Sequence, residues 1–272
     1  MKYFKLLGIA IAGVLLLTAC SYGMGEDVPS VTSQDQSSQP QSSEIISVPQ
    51  PQQPEPDSYT VPDISSKGEV AVPNNTDDWR LLLVNRQSPL PEDFHVELEA
   101  AITTADFNYR FDARAADALR NFMNAAKKDG VSLAVISTYR KQSTQERLYA
   151  SKVAEYVNAG YSSADAKNEA ARWVAVPGTS EHQTGLAVDV VSADWYSYND
   201  DLYDTFENTS EFEWLVAHCV EYGFVLRYAK DKQEITGITY EPWHYRYVGV
   251  EHARYMTENN LCLEEYIQHI GS

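Results

Sequence analysis

The amino-acid sequence predicts an α+β domain with a small, mainly antiparallel sheet surrounded by helices. Three observations lead there. Short apolar runs of strand length alternate with segments of helical spacing, without the regular strand–helix–strand rhythm of a parallel sheet. Two segments of the form S/T-x-x-E mark helix starts. Glycines close several helical segments.

The elements follow in chain order. Residues 79–84 form an apolar run suited to a strand. Residues 112–128 carry Ala115, Leu119, Phe122, Met123 and Ala126 at helical spacing, and Asp129-Gly130 ends the segment. Residues 131–136 read as a strand. Ser143-Thr144-Gln145-Glu146 reads as a capping box for a helix that stops near Gly160, and a second, polar helix covers residues 163–173. Residues 186–191 read as a strand. Ser210-Glu211-Phe212-Glu213 opens another helix, ending at Gly223. Residues 224–227 and 244–248 are further strands, and 250–258 and 263–269 are closing helices. No internal repeat is present.

The N-terminal quarter has a different character. Lys2 and Lys5 precede an almost wholly apolar stretch, residues 6–17, which is short for a membrane span and fits the core of a signal peptide. It ends in Leu17-Thr18-Ala19-Cys20, which looks like a bacterial lipobox. Residues 1–20 are therefore expected to be a lipoprotein signal peptide, with Cys20 lipidated and the chain held outside the cytoplasmic membrane. Residues 21–73 are rich in Ser, Gln and Pro; eight of the twelve prolines lie between Pro29 and Pro73. Such a stretch cannot bury enough apolar surface to offset its ordering entropy and is expected to be a disordered tether. Its reach is about 40 Å. Residues 74–272 then form one domain.

Charge narrows the partners. The net charge is −18, and −20 once Lys2 and Lys5 are removed. So acidic a chain is a poor polyanion binder, so no nucleic-acid partner is expected, and the acyl chains are left as the membrane attachment. A monomer is expected. Cys219 and Cys262 are a possible disulfide pair in an exported chain, but Cys219 reads more simply as a small core residue.

Two segments carry chemistry. Ser180-Glu181-His182-Gln183-Thr184-Gly185-Leu186-Ala187-Val188-Asp189 and Glu241-Pro242-Trp243-His244 together supply two histidines, an aspartate and a spare glutamate. Catalytic zinc is held by three N/O ligands with a water in the fourth position, and a nearby carboxylate that is not a ligand takes the proton from that water. His182, Asp189 and His244 supply the ligands and Glu241 the base. Gly185 places His182 on a loop, and Asp189 falls inside an apolar strand, where a carboxylate is costly unless paired or metal-bound. Pro242 favours an extended Glu241 and a bend before His244. Each residue taken alone also has a plain structural reading: a loop-capping Asp, a hydrogen-bonded core His, a surface Glu.

Taken jointly, S-x-H-x-x-G-x-A-x-D followed by E-P-W-H resembles the VanY-type D-alanyl-D-alanine carboxypeptidases, bacterial cell-wall zinc peptidases related to the VanX dipeptidases. Ser137-Thr138-Tyr139-Arg140 with the downstream Gln145, Val84-Asn85-Arg86 with Pro89-Leu90-Pro91, Tyr222-Gly223-Phe224 and Tyr247-Val248-Gly249 extend the resemblance over about residues 79–270. It implies a zinc site at the sheet, with Zn²⁺ on His182, Asp189 and His244. Glu241 would act as general base and then acid. Arg140 would face the scissile carbonyl or a neighbouring peptide oxygen. Gln145 and Ser180 would hydrogen-bond the terminal residue, and Trp243 would form a pocket wall. The implied activity is removal of the C-terminal D-alanine from peptidoglycan stem peptides, as a D,D- or an L,D-carboxypeptidase. The alternatives are a non-catalytic, lipid-anchored wall-binding protein and a cross-link endopeptidase.

Overall fold

A computed structural model describes residues 78–271. The expected signal peptide, Cys20 and the tether lie outside the described residues. The main sheet has four strands: β3 (Leu133–Ser137), β4 (Ala187–Ser192), β5 (Phe224–Leu226) and β6 (His244–Tyr247). Their order is β3-β4-β6-β5 and every pairing is antiparallel. A separate hairpin pairs β1 (Leu98–Thr103) with β2 (Asn108–Asp112). The helices are α1 (Ala116–Lys128), α2 (Gln142–Asn158), α3 (Ser163–Trp173), α4 (Trp195–Tyr198), α5 (Ser210–His218), α6 (Gln233–Thr236), α7 (Val250–Glu258) and α8 (Leu263–Ile270). The architecture is the expected α+β fold with helices around a small antiparallel sheet.

The sheet divides its residues by face, because successive side chains of a strand point to opposite sides. On β4, Val188 and Val190 enter the core, and on β6 Tyr245 does the same. Asp189 and His244 therefore share the other face. The core side is covered by α1, whose Ala116, Leu119, Phe122 and Ala126 are fully buried one turn apart. Phe122 is its centre: its ring lies 5.3–5.7 Å from those of Phe224, Tyr222 and Trp214. A second cluster joins Leu81, Val225, Val248, Met256, Leu263 and Tyr266 under α7 and α8.

Several local expectations are corrected. Residues 79–84 are not a strand: Trp79–Leu81 form a short 3-10 turn capped by the Asp78 side chain, which accepts from the Arg80 N–H. The carbonyls of Arg80 and Leu82 accept from the buried Arg246 guanidinium instead of a neighbouring strand. Ser143 does not cap α2, which starts at Gln142 with Lys141, two residues before Ser143, in the cap position and no side-chain capping bond. Thr209, one residue before the expected box, caps α5 by accepting from the Phe212 N–H at 3.2 Å. That helix ends at His218, and a 3-10 turn carries the chain to Gly223. The simpler reading of the cysteines holds: Cys219 lies in the core, and it and Cys262 are free, buried thiols.

One glycine is required by packing as well as by its dihedral. Gly185 has φ of +76°, and a Cβ there would meet the backbone N of Asp112 and the Leu98 side chain, both at 3.0 Å. Its carbonyl accepts from the Asp112 N–H at 2.9 Å, which ties the end of β2 to the loop before β4.

Phe122→Ala removes the aromatic at the centre of the main core. It is expected to cost about 3–5 kcal/mol of stability. Urea unfolding of the purified protein measures this, and a loss below about 1 kcal/mol would contradict the assigned core.

Candidate active site

The site is built on strand register. Asp189 of β4 is paired across the sheet with His244 on one side and Ser137 on the other. Opposed residues on adjacent antiparallel strands bring side chains on one face within reach of each other. Asp189 Oδ1 lies 3.0 Å from His244 Nδ1, and Oδ2 lies 3.0 Å from His182 Nε2. His182 comes from the 3-10 turn Glu181–Thr184 that precedes β4. Its ring stands at 85° to that of His244, centroids 4.9 Å apart. One donor atom from each of His182, Asp189 and His244 falls within a 4.8 Å span, and all three residues are buried.

The donor set fits a divalent transition metal with N/O ligands. Two imidazoles and a carboxylate are a known catalytic-zinc combination of donors that leaves a position open. The tautomer of His182 is set by its surroundings: Nδ1 lies 2.7 Å from the Thr138 carbonyl oxygen. A carbonyl only accepts, so Nδ1 carries the hydrogen and Nε2 presents a lone pair toward Asp189.

Glu241 stands beside this group without belonging to it, with Oε2 3.6 Å from His244 Nδ1. Its backbone is fixed, donating from N–H to the Tyr228 carbonyl at 3.1 Å and accepting from the His244 N–H at 3.2 Å. Burial raises its carboxyl to about 8; the charges of Asp189 and Glu181 add to this, against His244 and Arg140. Burial presses the His244 imidazolium down, but the carboxylates around it, Asp189 first and then Glu181 and Glu241, outweigh it and lift the group to about 9. His182 goes the other way, to about 4, because burial and Arg140 outweigh Asp189. Burial also disfavours the charged Asp189, yet the two histidines hold its carboxyl well below the usual range.

Arg140 completes the inner wall. One guanidinium nitrogen donates to Gln145 Oε1 and the other to Ser137 Oγ, both at 2.9 Å, and the latter nitrogen lies 3.6 Å from Asp189 Oδ2. Its backbone N–H donates to the His182 carbonyl at 3.0 Å. Gln145, expected to contact the terminal residue of a substrate, is instead fully buried behind Arg140. Its Nε2 donates to the Ala175 carbonyl at 2.6 Å, so both ends of the amide are committed within the protein. Gln145 aims Arg140.

These residues open into a cleft of about 520 Å³. Ser180, Trp243 and Tyr228 line its inner part with Arg140, Glu241 and the three metal-binding candidates. Leu148, Tyr156, Trp173 and Tyr203 line its outer part. Tyr228, which the sequence did not single out, packs its ring 4.8 Å from that of His244.

Residues 108–250 match the family model for VanY, D-alanyl-D-alanine carboxypeptidase. The chain belongs to the VanY family. It is 46% identical over 190 residues to a D-alanyl-D-alanine carboxypeptidase of Enterococcus faecalis, an alignment covering 70% of this chain and 66% of that protein. Among solved structures, a mutant of the vancomycin-resistance D,D-pentapeptidase VanY in complex with Zn(II) is 45% identical, with a TM-score of 0.61 over 70% of this chain and 99% of that one. The L,D-carboxypeptidase LdcB is 36% identical, with a TM-score of 0.58 over 68% of this chain and 84% of that one. The chain is thus similar to solved enzymes of both specificities.

Metal binding is expected to release protons. At pH 7 Glu241 and His244 both sit below their shifted values and hold protons, which a cation beside them expels. Titration calorimetry with zinc in buffers of different ionisation heat measures the release. It should be clear at pH 7 and shrink as the pH rises past 9. No proton release at pH 7 would overturn this electrostatic account.

Proposed function

We propose that the protein is a zinc-dependent carboxypeptidase that removes the C-terminal D-alanine from peptidoglycan stem peptides. The observation that carries this reading is the convergence, at the floor of one cleft, of His182, Asp189 and His244 with a buried non-ligand carboxylate, Glu241. Family membership supports the substrate class, and the zinc complex of the VanY relative supports the metal.

The chemistry divides among the residues. His182 through Nε2, Asp189 through its carboxylate and His244 through Nδ1 would hold the zinc. When bound, zinc supplies Lewis acidity, lowering the pKa of water and polarising the peptide carbonyl. Glu241 takes the proton from the attacking water and delivers it to the departing D-alanine nitrogen as the C–N bond breaks. Burial suits it to this exchange, because a carboxyl with raised proton affinity is an effective acid as well as a base. Arg140, clamped by Ser137 and Gln145, presents positive charge to the oxygen on which negative charge develops. Ser180 and Trp243 bound the space next to it for the terminal residue.

Location follows from the sequence. We propose that residues 1–20 direct export, that Cys20 carries the lipid anchor, and that residues 21–73 hold the catalytic domain off the membrane within reach of the wall.

The direct test is D-alanine release by the purified, zinc-loaded protein from synthetic pentapeptide and tetrapeptide stems. Release from at least one is expected; release from neither sinks the proposal. Glu241→Gln should retain zinc but lower kcat by at least about 10²-fold. Arg140→Ala should lower kcat by about 10²–10³-fold with less effect on KM. Arg140→Lys should rescue poorly, because a single ammonium cannot engage Ser137 and Gln145 as the planar fork does. A change confined to KM would assign Arg140 to ground-state binding.

A further inference from the structure

Glu181 sits next to the ligand His182 in sequence but points away from the cleft, into a buried ion network. Its side chain has no solvent exposure. Oε1 accepts from Arg227 Nε and from an Arg246 guanidinium nitrogen, both at 2.8 Å. Arg227 is held in turn by the Glu264 carboxylate through two bonds, at 2.7 and 2.9 Å. Arg246 donates to the carbonyls of Arg80, Leu82 and Tyr247. The carboxylate is thus fixed from one side by two rigid cations.

Its other oxygen is the informative one. Glu181 Oε2 is buried with no hydrogen-bond partner, and so is His244 Nε2. The two atoms face each other at 3.5 Å. Buried polar groups without partners are rare, and two that face each other mark a bond that a small ring rotation completes. His244 Nδ1 faces Asp189, on the metal side. For Nδ1 to offer a lone pair, the ring hydrogen must reside on Nε2, and a hydrogen there needs an acceptor.

We propose that Glu181 is a positioning residue for the metal. Its Oε2 accepts the Nε2–H of His244, fixing the tautomer whose Nδ1 is free to ligate. Thr138 does the same for His182 through a neutral carbonyl; Glu181 does it for His244 through a charge locked by Arg227 and Arg246. This rests on the reading of His244 as a zinc ligand.

Glu181→Gln is the discriminating variant in the full-length protein. The arginines only donate, so they claim the amide oxygen and turn the amide NH₂ toward His244. A donor then faces Nε2 and favours the wrong tautomer. The zinc dissociation constant, measured against a chromogenic chelator, should rise about 10–100-fold. Glu264→Gln removes the other carboxylate of Arg227 without reaching His244 and controls for lost stability; equal weakening in both variants overturns the proposal. Nitrogen-15 NMR of the zinc-loaded wild type tests it without mutation. His244 should show a protonated, slowly exchanging Nε2 and a metal-shifted Nδ1, whereas ligation through Nε2 overturns it. Undiminished zinc binding by His244→Ala would instead defeat the ligand reading on which the proposal stands.

Discussion

The register that sets Asp189 opposite His244 is the constraint on which the rest of the structure depends. Side chains alternate along a strand, so a slip of one residue in β4 would turn Asp189 into the core and Val188 or Val190 into the cleft. The register is held from both faces. Val188, Val190 and Tyr245 need the apolar cover of α1, while Asp189 and His244 need each other. Strand pairing and metal-site geometry are therefore one problem with one solution. The hairpin contributes from outside, through the Asp112 to Gly185 bond that fixes the approach to β4.

Placing this site on a buried sheet face creates an electrostatic difficulty. Asp189, Glu181 and Glu241 are three buried carboxylates in a small volume, and isolated buried charges are costly. Two kinds of compensation are present. On the far side, Arg227 and Arg246 hold Glu181 in its charged form, overcoming the burial that raises it. On the cleft side there is no such clamp on Glu241: His244 and Arg140 only partly offset burial and its acidic neighbours. One glutamate is locked as an anion while the other exchanges its proton readily, and that difference in surroundings separates a positioning role from an acid–base role.

Much of this was legible in the sequence, for identifiable reasons. The ligand set was readable because Asp189 stands between valines, a placement with few explanations, and because the two segments recur together in a family. Helices α1, α3, α7 and α8 were readable from periodicity or composition. The hairpin β1–β2 was not, because a bulge between Ala100 and Ile102 breaks the two-residue alternation on which strand reading relies. Residues 79–84 were misread as a strand because their backbone partner is a side chain 164–166 positions away. The tasks of Gln145 and Glu181 were hidden for the same reason. Each acts on a catalytic side chain from behind, and no local pattern distinguishes that from a solvated surface residue. Arg227, immediately after the apolar β5, and Arg246, inside β6, are the sequence neighbours of strands that most needed a buried anion nearby.

The proton affinities link the site to the stability of the whole domain. Glu241 at about 8 lies far above the value of about 4.3 for an unfolded chain. Between those values the fold holds a proton that the unfolded chain has lost, so the metal-free fold loses stability as pH rises through that window. His244 acts in the same direction: the stability it gives is full below about 6.5 and is lost as pH rises through about 9. Asp189 and Glu181 have the opposite sign, with stability present above the unfolded carboxylate range and lost in acid. Without metal the fold is therefore weakened from the alkaline side by the two groups that chemistry requires to be deprotonated. A cation supplies the missing positive charge as those protons leave. Its binding energy then adds to folding as well as to catalysis.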